Sequence, residues 1–160
     1  MVTKNNFSKW TNWKDREIIK GMEYPGIYCI AISENNLSNF EFDWIKEINY
    51  IGMTNSKTGL KGRLKQFDNT IRGKSGHGGA DRFRYEYRDY NDLINNLFVS
   101  VNHFKCNFKS ILTEDLLVMG EVAKQEYECW AEYVEKFQNL PKFNNKTTNK
   151  YSLTVGRENQ

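Results

Sequence analysis

Two tripeptides, Gly26-Ile27-Tyr28 and Tyr50-Ile51-Gly52, are followed by Gly59-Leu60-Lys61-Gly62-Arg63-Leu64. They bring two phenols and a guanidinium into one stretch of chain. A phenol titrates near 10 and is a poor base at neutral pH unless cations or a metal-bound water favour the phenolate. Lys57, Lys61 and Arg63 lie close enough in sequence to supply such a field. Arginine is planar, always charged and able to hold a phosphate at two points. A later helical stretch offers Glu121, Glu126, Glu128, Glu132 and Glu135 as carboxylates. Attack on a phosphodiester needs a deprotonated water, a cation for the equatorial charge and a metal ion for the attacking or leaving oxygen. Tyr28, Arg63 and one of these glutamates could meet those needs. Taken alone, Tyr28 and Tyr50 also read as a cross-strand aromatic pair worth about 1 kcal/mol at most. Arg63 alone reads as a boundary residue keeping its head in water.

The elements that must position these groups follow from hydrophobic period. Residues 27–32 and 45–53, rich in β-branched and aromatic types, read as two strands that pair antiparallel, with a polar loop over 33–44. Leu60, Leu64, Phe67 and Ile71 recur at intervals of 4, 3 and 4, the stripe of a helix that stops at Gly73. Arg63 falls on the flank of that stripe, bordering the sheet. Gly76-His77-Gly78-Gly79 reads as a flexible loop whose imidazole either touches a phosphate, relays a proton or is simply solvated. A short helix follows, then a third strand over 97–104. A long helix runs over 114–138, capped by Thr113 and ended by Pro141. Phe7, Trp10, Trp13 and Ile18 have the spacing of an amphipathic N-terminal helix.

Composition narrows the classes. The chain has 160 residues, 39% hydrophobic and 14% aromatic with 2 Pro, which fits one globular domain and excludes disordered and collagen-like classes. No membrane span or secretory leader is read, so a cytoplasmic location is expected. Cys29, Cys106 and Cys129 are too few and too dispersed for a disulfide framework. His103 with Cys106 and Cys129 lacks the second close pair of a zinc site. Between Lys57 and Arg88 nine basic residues face three acidic ones, in a chain whose formal net charge is +3. The remainder is therefore net acidic. Such a one-sided surface suits a polyanion, with Lys57, Lys61, Lys74, Arg82 and Arg84 as backbone contacts, although a charge run by itself reads as a solvated helical face.

The ordered set of Gly26-Ile27-Tyr28, Tyr50-Ile51-Gly52, the Arg63 helix, the His77 loop and Pro141-Lys142-Phe143-Asn144 resembles the GIY-YIG nuclease family over residues 25–145. The resemblance implies an α+β fold: a small three-stranded antiparallel sheet flanked by helices. Here residues 1–24 would add an N-terminal helix, and 146–160 a polar tail. It also implies a divalent metal, Mg²⁺ or Mn²⁺, held by a helix glutamate, with Asn144 securing the segment after that helix. One departure is Phe67, where the family often has His or Tyr one turn after the arginine. Proton transfer must then fall to Tyr28, Tyr50 or His77. Family spacing to Pro141 and Asn144 favours Glu132 as the metal ligand. Helical period favours Glu126, which falls inside the apolar arc of Met119, Val122, Ala123, Trp130, Tyr133, Val134 and Phe137, while Glu132 projects to the polar side. A carboxylate in an apolar arc needs a partner or an ion. The expected function is a metal-dependent endonuclease on double-stranded DNA, most simply a stand-alone restriction-type enzyme, alone or as a homodimer. Phage, mobile-element and repair nucleases, and a non-catalytic nucleic-acid-binding module of the same fold, are the alternatives.

Overall fold

The structure, a computed structural model, describes residues 2–145. The tail expected over 146–160 lies outside them. The fold is α+β, with a four-stranded antiparallel sheet in the order β1-β4-β2-β3. The strands are β1 (Thr11–Asn12), β2 (Gly26–Ile32), β3 (Ile48–Thr54) and β4 (Leu97–His103). The helices are α1 (Gly59–Ile71), α2 (Gly78–Glu86), α3 (Tyr90–Asn95) and α4 (Thr113–Phe137). Among the described residues no helix is long and apolar enough to cross a membrane.

Strand β2 is covered on both faces, and its period of two divides the core. Tyr28 and Ile30 join Leu60, Leu64, Phe67 and Phe83 in one cluster, on the side of α1, α2 and α3. Ile27, Cys29 and Ala31 join Phe42, Trp44, Val122 and Tyr133 in the other, on the side of α4. Cys29 and Cys129 are buried and free, and no described group of three His, Cys, Asp or Glu side chains could hold a metal by itself.

Three expectations change. The N-terminal segment is not a helix but two 3-10 turns, Lys4–Asn6 and Trp13–Ile18, around the short fourth strand β1. Helical spacing misleads here because Trp10 and Trp13 enter opposite cores, Trp10 beside Phe42 and Trp13 beside Phe67. The segment is thus part of the body. The 33–44 stretch is a loop, but Phe42 and Trp44 are buried in the second core, with Phe42 stacked on Phe7. Thr113 is the first helical residue of α4 and Leu112 its flank, with no side-chain cap.

Asp68 of α1 ties three elements together. Its carboxylate, 6% exposed, accepts from Trp13 Nε1, Tyr90 Oη and Arg72 Nε, each at 2.8 Å, and lies 3.6 Å from Arg16 Nη2. Burial alone would raise its pKa. The bonds from Arg72, Trp13 and Tyr90 and the charge of Arg16 outweigh burial and hold it below the usual carboxylate value. Asp68→Ala should cost about 3 kcal/mol in urea unfolding, because it strands buried donors and cations. The sign in pH follows. A depressed carboxylate stabilises above the unfolded value near 3.9 and is lost as pH falls through the folded one, so the variant's stability should change less with pH below about 4.

Candidate active site at the sheet edge

Tyr28 and Tyr50 share one face of the sheet. The strand register sets Tyr28 opposite Gly52 and Ile30 opposite Tyr50, so the two rings are diagonal neighbours with centroids 6.0 Å apart. Gly52 is required by this arrangement. A Cβ there would lie 2.6 Å from the Tyr28 hydroxyl oxygen and 2.7 Å from the Tyr50 ring. Gly79 clears the other side of Tyr50, where a Cβ would come within 2.6 Å of the ring.

Tyr28 is fully buried, and its hydroxyl meets His77 Nε2 at 2.7 Å. His77 is only 1% exposed, so the solvated reading of this residue does not hold. Gly78 and Gly79 do not form a flexible loop either: they open α2, and His77 is its N-cap, with Nδ1 accepting from the Ala80 amide at 3.2 Å. That bond settles the tautomer. Nδ1 is the acceptor, so Nε2 carries the proton and donates to the Tyr28 oxygen. Burial first, then the charges of Arg63 and Arg82, lower the imidazole's pKa to about 3, so the ring is neutral at physiological pH. Phe67 packs its ring edge to face on the imidazole, with centroids 5.1 Å apart. Phe67, the departure from the resembled pattern, is therefore a core residue, and the imidazole beside Tyr28 comes from the start of α2.

Arg63 lies beside both phenols, within hydrogen-bonding reach of the Tyr28 hydroxyl. One of its Nη atoms donates to Gln66 at 3.1 Å. Its Nε is buried and has no hydrogen-bond partner among the described residues. The phenolate expected of Tyr28 is not favoured: burial, then the neighbouring Tyr50, raise its pKa well above 10, and Arg63 only partly offsets them. Tyr50 is half-buried and is also raised, chiefly by burial, against the opposing charge of Arg63.

The outer edge of β3 brings in the rest. Ile51 N–H donates to Asn144 Oδ1 and Ile51 C=O accepts from Asn144 Nδ2, both at 2.8 Å, so this side chain stands in for a neighbouring strand. Phe143 N–H donates to Asn49 C=O at 2.8 Å, and Trp130 Nε1 to Ile51 C=O at 3.3 Å. Two residues on, the Met53 amide donates to Glu126. Glu126 is half-buried, its pKa raised by burial and pulled back by Arg63 and the Met53 amide. It sits close enough to Tyr50 to act on its charge.

Glu132 is placed differently from the expectation of its helical period. It is not on a polar face: Oε1 accepts from the Val2 amide at 2.7 Å and Oε2 from Trp44 Nε1 at 2.9 Å. Both oxygens are engaged in closing the second core. Ala123, expected in the buried arc, is exposed. Of the basic residues, Lys57, Lys61 and Lys74 are exposed around α1, and Arg84 lies on α2. Arg82 donates to the Phe143 carbonyl at 2.6 Å while its charge acts on Tyr50 and His77, so it holds the C-terminal segment against the site. Sequence reasoning passed over this tie and the clearance role of Gly79. The glycine pair after His77 was the available signal, but a histidine is not among the usual capping residues.

The donor set fits a lightly ligated hard cation. Glu126 offers one carboxylate whose ionised form burial penalises, and Mg²⁺ is commonly held by one or two carboxylates with water and substrate phosphate completing its shell. No family model, curated protein or solved structure matches the chain.

Two outcomes test this geometry. In nitrogen-detected NMR, His77 should remain a single neutral Nε2–H tautomer from neutral pH down to about 4. Protonation of its ring near 6.5 would mean that it is not held as described. Gly52→Ala should cost roughly 1–3 kcal/mol in thermal or urea unfolding, since the added methyl displaces Tyr28 from His77.

Proposed function

We propose that the chain is a metal-dependent endonuclease that hydrolyses phosphodiester bonds in double-stranded DNA, of the stand-alone restriction type. One observation carries the reading. Tyr28, Tyr50, Arg63, His77 and Glu126 come from five separate stretches of chain, and their hydroxyls, guanidinium, imidazole and carboxylate act on one another at one edge of the sheet.

Each group has a part that its surroundings support. Arg63 keeps a buried donor without an acceptor, and a phosphate oxygen would satisfy it while the guanidinium stabilises charge on the equatorial oxygens of the transition state. Tyr28 works as a neutral hydroxyl, held by His77 and Arg63, and Tyr50 orients water or phosphate at the more open end of the pair. His77 positions Tyr28 from behind and does not itself meet the phosphate, being enclosed. Glu126 would hold Mg²⁺ or Mn²⁺, which when bound supplies Lewis-acid stabilisation of a phosphate oxygen and an acidified water. Lys57, Lys61, Lys74 and Arg84 would line the duplex backbone on either side of Arg63.

Plasmid cleavage with Mg²⁺ and with chelator tests the reading. Cleavage should require the metal, and salt-dependent binding of DNA with no cleavage under any divalent ion would leave the non-catalytic module instead. Tyr28→Phe and Arg63→Lys should each lower the cleavage rate by about 10²-fold or more with the fold retained. Glu126→Gln should be inactive and melt at or above the parent in chelator, because the amide removes a penalised buried charge. Glu132→Gln should still cut but melt lower, since the Val2 amide or the Trp44 indole N–H would then face an amide nitrogen. Loss of cleavage in Glu132→Gln with an unchanged melting temperature would reverse the assignment of the metal ligand.

A further inference from the structure

Helix α4 carries two apolar faces, and the sheet uses one. Val122, Cys129 and Tyr133 are buried against it. About 130° round the helix from these, Leu116, Gly120, Ala123 and Tyr127 recur at intervals of 4, 3 and 4, the spacing of a coiled-coil seam. At 100° per residue these four span an arc of about 60°. All are exposed: Leu116 by 51%, Tyr127 by 68% and the adjoining Leu117 by 69%. A surface helix ordinarily turns charge to water on this side. Here the nearest charge is Lys124, about 40° outside the arc.

Gly120 sharpens the point. A glycine inside a helix costs about 1 kcal/mol relative to alanine. The usual reason is close approach of another group, yet a Cβ at Gly120 would meet nothing within 4 Å. The chain's own packing therefore does not explain it. The extent of the face fits an interface. Leu112, Leu116, Leu117 and Tyr127 leave on the order of 500 Å² in water, more than half of the roughly 800 Å² each partner gives to a stable complex.

The stripe also matches itself. In an antiparallel helix pair with its two-fold axis midway between positions 120 and 123, Leu116 meets the partner's Tyr127 and Gly120 meets the partner's Ala123. Two large pairs then flank a centre of small residues that lets the helix backbones approach. We propose that this face binds a second copy of the chain through antiparallel pairing of the α4 helices.

Sedimentation velocity on the full chain across the micromolar range tests the proposal, with a dimer expected. Leu116→Lys and Tyr127→Glu lie at exposed positions, so circular dichroism and melting should stay parental while each weakens self-association by about tenfold or more. Carrying both changes in one chain sets lysine against glutamate twice in the antiparallel register and should restore the dimer. Parallel pairing would set lysine against lysine and would not. A monomeric parent overturns the proposal, as does a dimer indifferent to both single variants. A parent that is monomeric but dimerises when ended after Asn145 would make residues 146–160 the occupant, and the proposal would fail.

Discussion

The hydrogen bond between Tyr28 and His77 constrains more of this structure than any other contact. Tyr28 stands on a strand buried on both faces, so its hydroxyl has no water and must find a partner inside. A charged imidazole there would be costly, and the ring is kept neutral with its second nitrogen on the Ala80 amide. The start of α2 is thereby fixed to β2. Everything α2 carries follows, including Phe83 in the core and Arg82 against Phe143. Gly52 and Gly79 are the room this bond and the neighbouring phenol demand.

The second constraint is the free edge of β3. An edge strand exposes unpaired backbone groups that invite another strand. Here Asn49, Ile51 and Met53 turn theirs outward, and Phe143, Asn144, Trp130 and Glu126 satisfy them. Protecting the edge and positioning the carboxylate are one act. α1 and α4 belong to opposite faces of the sheet, and only at this edge can Arg63 and Glu126 approach each other.

What the sequence disclosed follows the range of the forces involved. Strands β2, β3 and β4 and helices α1 and α4 repeat their burial locally, so period alone finds them to within a few residues. Tyr28, Tyr50 and Arg63 could be placed on a face or flank by the same arithmetic. The N-terminal segment could not, because Trp10 and Trp13 serve two different cores and no single period describes both. Glu132 is the sharper case. Its partners Val2 and Trp44 lie 130 and 88 residues away, and no pattern around Glu132 announces them. Glu126 was legible for the opposite reason, since a carboxylate inside an apolar arc is conspicuous in the helix itself. His77 fell between. Its glycine-rich surroundings are those of a loop, and only the tertiary demand of Tyr28 turns it into a buried cap.

The tautomer of His77 fixes the sense of its hydrogen bond to Tyr28. With Nε2–H donating, the Tyr28 oxygen is an acceptor, also facing Arg63, and its own proton is left to give. The Tyr50 ring stands diagonally beside that of Tyr28, with centroids 6.0 Å apart. Burial falls along this pair, from the fully enclosed Tyr28 to the half-buried Tyr50. Of the two tyrosines, the one enclosed by His77 is fixed from the core, and the half-buried one lies toward Glu126.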